Sequence, residues 1–283
     1  MARPLIMASV VLVYLAGLLI ARARGHAVEA GTAAGAFAAL LLVSLSIHYT
    51  NEYADHETDA LTRPTRYSGG SGVLPSGQVP RRLALQAAWI TLLGGLGLAL
   101  IGWGAGWLAE AALLILIIGA FFGWMYSLPP LKLAWRGWGE LDNALLGGLA
   151  LPLYGYSAVT GRVDWEAALV CLPFTLLVFN NLLATTWADR HADAQVGKFT
   201  LATFVPVRRL RWLYLGVVAL AFALLLSLPR MTLPPAVLWL SLPALPMLAW
   251  GAFTYTRQHT PYPTSNAMVL LLLGQMAGWW WAG

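Results

Sequence analysis

Residues 28–59 read VEAGTAAGAFAALLLVSLSIHYTNEYADHETD. Through Thr50 the stretch is overwhelmingly apolar and long enough to cross the hydrocarbon core of a bilayer as one helix, which takes about 20 residues. From Asn51 onward it turns acidic, with Asn51, Asp55 and Asp59 spaced by four. On a helix this spacing stacks three oxygen-bearing side chains along one stripe, about 6 Å apart along the axis. The stretch therefore predicts a membrane helix ending in a row of carboxylates.

The same apolar pattern recurs along the chain. Nine candidate spans lie at 4–21, 28–50, 83–102, 107–126, 142–160, 166–188, 211–229, 234–254 and 265–282. Of the 283 residues, 59% are hydrophobic and 10% charged, where soluble domains carry about 25% charge. So little charge cannot clothe a water-facing surface, so the exterior faces lipid. Alternating strands of about ten residues, the mark of a membrane β-barrel, are absent. The expected fold is all-α: a polytopic bundle of about nine transmembrane helices forming one membrane domain over 1–283. The first run lacks a small-residue cleavage site and resembles the later spans, so it reads as a span, not a cleaved signal. Cys171, the one cysteine, lies in an apolar run and reads as a buried small hydrophobe. The net charge of +5 reflects basic loops on one side of a membrane, not a nucleic-acid partner.

Thirteen of the seventeen Lys and Arg residues fall on the N-terminus and the even-numbered loops, against Arg22, Arg24, Arg162 and Arg230 on the other side. That excess places the N-terminus in the cytoplasm. Acidic residues share the bias, with Glu52, Asp55, Glu57, Asp59, Glu140, Asp142, Asp189 and Asp193 all on that side. Acids do not set topology, so their concentration there points to a site.

A second cluster closes the sixth span: Thr185-Thr-Trp-Ala-Asp189-Arg-His-Ala-Asp193. Tyr53-Ala54-Asp55 is echoed by Trp187-Ala188-Asp189, each with a further Asp four residues on. Solvated carboxylates at helix ends are the ordinary explanation. Yet a carboxylate at a helix C-terminus opposes the macrodipole, and like charges at i, i+4 repel. Two such pairs suggest a bound cation. Oxygen donors without cysteine favour Mg²⁺ or another hard ion over Zn²⁺, and a diphosphate bridging Asp-bound Mg²⁺ ions would join the clusters.

The loops beside the clusters are basic or glycine-rich. Arg63 and Arg66 follow Asp59 and lead into Ser68-Gly-Gly-Ser-Gly72, whose glycines let backbone fold closely over an anion. Pro129-Pro130 ends the fourth span and holds Tyr126 and Lys132 in a stiff turn. Lys198 lies five residues beyond Asp193, placed to neutralise phosphate. His48, His56 and His191 border the clusters as interfacial residues. Asn180 and Asn181, inside the sixth span, either line a cavity or bond a neighbouring helix. Trp279-Trp280-Trp281 reads as an interfacial belt; Trp124, Trp135 and Trp138 are placed to touch an apolar ligand.

On these residues the chain resembles the UbiA superfamily of intramembrane prenyltransferases. The family's Asn-Asp-x-x-Asp-x-x-x-Asp motif matches Asn51, Asp55 and Asp59, with Glu52 in the second place. Its second motif, Asp-x-x-x-Asp, matches Asp189 and Asp193. Arg63-Pro64-x-Arg66 before Pro75-Ser76-Gly77, and the turn Tyr126-Ser127…Lys132, match as well. The resemblance implies a bundle around a central cavity, with both motifs facing each other under a cytoplasmic cap. It implies two Mg²⁺ ions holding a polyprenyl diphosphate, in a bacterial or archaeal inner membrane. Asp55, Asp59, Asp189 and Asp193, assisted by Asn51, would bind metal. Arg63, Arg66, Ser127, Lys132 and Lys198 would contact diphosphate, and Tyr126 would stand near the reacting carbon. Gly69-Gly-Ser-Gly-Val-Leu-Pro-Ser-Gly77 and Gly197-Lys-x-Thr-Leu-Ala202 look most like the 1,4-dihydroxy-2-naphthoate branch of menaquinone synthesis. Thr185 departs from that branch, which has Asn four residues before the first Asp of the second motif. Acceptors such as 4-hydroxybenzoate or another quinone or tetrapyrrole precursor therefore stay open. A transporter of cations or small molecules is the competing class, but both clusters lie at one face, not at the midplane. A non-enzymatic scaffold would have no need of paired Asp motifs.

Overall fold

The computed structural model describes residues 4–61, 70–228 and 232–283. Arg63, Arg66 and Arg230 lie outside them. Among the described residues there is no β-strand, only one isolated bridge between Arg136 and Phe199. The helices are α1 (Pro4–Ala23), α2 (Ala30–Ala54), α3 (His56–Leu61), α4 (Arg81–Gly104) and α5 (Glu110–Ser127). A continuous helical run follows, made of α6 (Gly139–Asn143), a π-helical segment (Ala144–Ala150) and α7 (Leu151–Thr160). Then come α8 (Trp165–Gln195), α9 (Leu201–Phe204), α10 (Val207–Ser227), α11 (Pro235–Ser241), α12 (Leu245–Thr254) and α13 (Tyr262–Ala282).

Seven of these stretches, with α11 and α12 taken together, are long and apolar enough to cross a membrane on their own. The 139–160 run and α13 occupy the two other expected spans. They are less uniformly apolar because polar residues such as Asp142, Asn143, Asn266 and Gln275 interrupt them. The protein is an integral membrane protein. Its outer face carries exposed side chains such as Ile90, Leu93 and Ile101 on α4, as a lipid-facing helix requires.

Without a hydrophobic driving force between helices in lipid, close approach relies on small residues and hydrogen bonds. A Cβ on Gly17 of α1 would fall 2.0 Å from the Pro152 carbonyl oxygen, and one on Gly155 of α7 would fall 2.5 Å from the Tyr14 carbonyl oxygen. The α1–α7 crossing is thus backbone on backbone. Gly274 and Gly278 of α13 do the same against Leu240 and Val237 of α11. Buried tyrosines add the polar stitches, with Tyr14 donating to the Ala33 carbonyl (2.7 Å) and Tyr154 to the Ala36 carbonyl (2.8 Å). Three apolar cores result among the described residues, one among α1, α2, α5 and α7, a second among α1, α7, α8, α10 and α13, and a smaller third where α8, α9 and α10 meet. Cys171 is buried in the second. Trp279 is buried, whereas Trp280 is exposed and lies under the Arg22 guanidinium at 4.4 Å.

Candidate functional site: two acidic helix ends joined by a lysine

The ends of α2, α5 and α8 and the start of α6 gather at one end of the bundle. The acidic stripe of α2 does not continue as one straight helix. Asp55 caps α2 with a non-helical backbone (φ −87°, ψ 10°), and α3 restarts at His56. Spacing is nevertheless kept, because the Asp55 amide bonds the Asn51 carbonyl and the Asp59 amide bonds the Asp55 carbonyl, both at 2.8 Å. The Asn51 amide donates to Asp55 Oδ2 (2.9 Å) and to Ser127 Oγ (3.3 Å), which ties α2 to the end of α5.

Lys198 joins the two motifs. Its Nζ lies 3.2 Å from Asp55 Oδ2 and 3.8 Å from Asp193 Oδ1. Asp189 is close enough to act electrostatically on Asp193. Burial works against the lysine charge, but Asp55 and Asp193 outweigh it and hold the ammonium above the ordinary lysine range. This supplies the compensation that carboxylates at two helix C-termini need.

The local chain explains how Lys198 gets there. Gly197 turns the backbone at φ +73°, and the Lys198 amide closes α8 on the Asp193 carbonyl at 2.8 Å. Phe199 then pairs with the loop after α5, its amide bonding the Trp135 carbonyl (3.2 Å) and its carbonyl accepting from Gly137 (2.7 Å). Glu140, 1% exposed, takes the Leu201 amide at 2.9 Å and so caps α9 from α6. The loops after α5 and α8 thereby form one latched unit over the carboxylates.

The glycine-rich loop closes from the other side. A Cβ on Gly70 would fall 2.0 Å from Asp59 Oδ2, so backbone lies directly on that carboxylate. Glu52 anchors the loop by accepting from the Ser71 amide (2.8 Å) and hydroxyl (2.5 Å).

Below this lid is a cavity of about 600 Å³. Asn51, Glu52 and Tyr126 line its polar end, and Leu40, Val43, Ile47, Leu116 and Phe174 line its apolar walls. The Tyr126 ring packs near the backbone of Gly139, and its hydroxyl is within electrostatic reach of Asp55 and Lys198.

Most of the residues singled out in the sequence converge. Asn51, Asp55, Ser127, Tyr126, Asp189, Asp193 and Lys198 share one end, with Asp59 under the glycine-rich loop. Lys132 does not join them. It sits in a left-handed turn (φ 47°) with its ammonium over the Trp135 ring at 4.8 Å, and no ion pair links it to the carboxylates among the described residues. Trp124, Trp135 and Trp138 do not line the cavity. Trp124 instead donates to Ser46 (2.8 Å), and Trp135 stands between Lys132 and Lys198. The two asparagines divide. Asn181 lines the cavity, whereas Asn180 is buried and donates to the Tyr214 carbonyl at 3.1 Å. His48 lines the cavity; His191 lies outward beside His259.

Glu52 and Glu140 are structural supports of the capping loops; the sequence marked Glu52 by its place in the first motif and Glu140 only as an acid on the motif side, and neither by the contact it makes. Their roles depend on partners 19 and 61 residues away, so no local pattern reveals them.

The donors at the junction are oxygens. Asp55 Oδ1 is buried without a hydrogen-bond partner, an arrangement that suits a hard cation. Among the described residues no three His, Cys, Asp or Glu side chains form a ready cage. Mg²⁺ does not need one, since it binds through one or two carboxylates together with water and substrate phosphates.

Comparison with known proteins bears on the family and the fold. The profile described as the UbiA prenyltransferase family matches residues 10–281. A 1,4-dihydroxy-2-naphthoate octaprenyltransferase of Mycobacterium tuberculosis is 30% identical over 205 residues, 69% of this chain and 66% of that protein. A chloroplastic chlorophyll synthase of Arabidopsis thaliana is 25% identical over 171 residues, 59% of this chain and 42% of that one. The chain spans about half the length of the curated relatives it matches first. A UbiA homolog from Archaeoglobus fulgidus, solved bound to DMAPP and Mg²⁺, shares the fold with a TM-score of 0.69 at 18% identity, covering 96% of both chains.

Proposed function

The chain belongs to the UbiA prenyltransferase family, and on that premise we propose that it transfers a polyprenyl group from its diphosphate to an aromatic acceptor. The acceptor we favour is 1,4-dihydroxy-2-naphthoate, as in menaquinone synthesis. A relative that carries that name and the sequences of both capping loops support the choice. The observation that carries the reading is the junction of Asp55 and Asp193, from motifs far apart in sequence, on Lys198, tied through Asn51 to the polar end of an apolar cavity.

In this reading Asp55, Asp59, Asp189 and Asp193, with Asn51, would hold Mg²⁺, two ions being expected with bound diphosphate. Bound Mg²⁺ supplies neutralisation of the charge that develops on the departing diphosphate. Lys198 adds a fixed positive charge where that diphosphate sits, and the Ser127 hydroxyl, which accepts from Asn51, offers a hydrogen-bond donor. The family resemblance adds Arg63 and Arg66, which follow α3 in the sequence, to the anion site, whereas Lys132, held over the Trp135 ring, stands apart from it. Preorganised donors of this kind stabilise charge at low reorganisation cost. Tyr126, which lines the polar end of the cavity, stands near the reacting carbon. The apolar walls take the prenyl tail and exclude water, which would otherwise quench the cation. Residues 1–283 act as one membrane domain, with the N-terminus and the site on the cytoplasmic side of a bacterial or archaeal inner membrane.

Turnover of purified protein with Mg²⁺, geranylgeranyl diphosphate and 1,4-dihydroxy-2-naphthoate, with 4-hydroxybenzoate in parallel, tests this. Product that disappears with EDTA is expected. Asp55→Ala and Asp189→Ala should each abolish turnover in a protein that still folds. Activity retained in either variant removes the metal assignment.

A further inference from the structure

The prenyl diphosphate accounts for the acidic junction and for the apolar walls of the cavity, but not for a second polar patch inside it. Asp142 and Asn143, at the end of α6, line the cavity together with Asn181 and Thr185 of α8. Asp142 is only 8% exposed, and its Oδ2 has no hydrogen-bond partner. A buried carboxylate oxygen without a partner is rare in native proteins and calls for a use. The helix itself is altered next to it. The run turns π-helical from Ala144, an arrangement frequent at functional sites. Gly148 of that segment lies so close to α8 that a Cβ would meet Thr175 Cα at 2.5 Å. Backbone contact thus fixes the wall that bears Asp142 against the helix that bears Asn181.

The patch has a definite hydrogen-bond character. The Asn181 side-chain oxygen accepts from Ser265 Oγ at 2.7 Å, which fixes the amide and leaves its N–H groups to donate. Asp142 offers an acceptor. A ligand that fits both carries a hydroxyl donor and, apart from it, an oxygen acceptor. Asp142 also lies within electrostatic reach of the Tyr126 hydroxyl, which sets the patch beside the transfer chemistry.

We propose that Asp142 binds the hydroxyl of a hydroxyarene acceptor and takes its proton as the ring is prenylated. This rests on the prenyltransferase reading above. The allylic C–O bond breaks, and its electron pair leaves on the diphosphate. A ring π pair forms the new C–C bond while the O–H proton passes to Asp142, so the O–H electron pair becomes a ring carbonyl. The substituted ring carbon then loses H⁺ to the departed diphosphate, or CO₂ where it bears a carboxylate. The electrons released restore the aromatic ring, and its oxygen regains the proton from Asp142. Asp142 thus ends as it began.

The test compares wild type, Asp142→Asn and Asp142→Glu. Each is assayed for anaerobic binding of 1,4-dihydroxy-2-naphthoate and its monomethyl ethers by fluorescence, for binding of geranylgeranyl diphosphate with Mg²⁺, and for turnover. Wild type should bind the free naphthol at least tenfold more tightly than the ether blocked at the bonded hydroxyl, and Asp142→Asn should lose that preference. Acceptor-dependent kcat should fall about 10²- to 10⁴-fold in Asp142→Asn, the range of general-base catalysis, and recover in part in Asp142→Glu. Diphosphate affinity should stay within twofold. Equal wild-type affinity for the naphthol and both ethers overturns the proposal without any variant. So does an Asp142→Asn protein with unchanged turnover. If wild type transfers no prenyl group to any hydroxyarene, the prenyltransferase reading fails. The ether comparison then still decides whether Asp142 recognises a hydroxyl.

Discussion

Replacing Lys198 by methionine removes the charge at the junction while keeping most of the side-chain volume. At 3.2 Å from Asp55 and an effective dielectric constant of about 20, the gross Coulomb attraction is about 5 kcal/mol. Desolvation offsets part of it, and breaking a buried pair by deleting one partner costs about 3–5 kcal/mol, because the other charge stays buried. At the lower bound the apparent Tm of metal-free protein should fall by roughly 6–12 °C, read as a thermal shift in detergent with EDTA. Asp55→Asn in the same background should recover part of the loss, since it removes the stranded carboxylate. The pH dependence has a definite sign. The folded-state pKa of Lys198 lies above the ordinary lysine value of 10.5, so its contribution is fully present below that value and fades as pH rises through the folded one. The gap between wild type and Lys198→Met should therefore persist from pH 8 to pH 9.5. A metal-free Lys198→Met protein within 2 °C of wild type refutes the view that this ion pair joins the two acidic helix ends.

Other outcomes follow from the same geometry. Mg²⁺ with diphosphate should raise the Tm of Lys198→Met more than that of wild type, because cations then neutralise the stranded carboxylates; an equal rise, measured in parallel titrations, counts against it. Glu140→Ala removes the side-chain cap of α9, a hydrogen bond worth about 1 kcal/mol. Protease cutting near residues 196–204 should accelerate while the bundle keeps its helical circular dichroism. Gly274→Leu would drive a Cβ to within 1.9 Å of the Leu240 carbonyl oxygen and should abolish accumulation of folded protein, whereas Gly97→Leu, with open space around it, should be tolerated.

Hydropathy alone determined that the chain is a helical membrane protein, because a span must satisfy its backbone hydrogen bonds internally and therefore shows itself as one long apolar run. Four-residue spacing likewise marked Asn51, Asp55 and Asp59, and then Asp189 and Asp193, since helical periodicity is local. Tertiary structure decided which charges meet. Lys198 and Lys132 look equivalent in sequence, each a few residues past a span. Pairing of Phe199 with Trp135 and Gly137 carries the first onto Asp55, while a left-handed turn lays the second on the Trp135 ring. Neighbouring Asn180 and Asn181 parted for a similar reason: adjacent positions on a helix point about 100° apart, and only the bundle decides which direction is cavity. Asp142 was visible from the start as an acid on the motif side. That it lies buried and unpartnered beside the reacting space depends on how the π-helical segment packs against α8, and such long-range packing leaves no trace in local spacing.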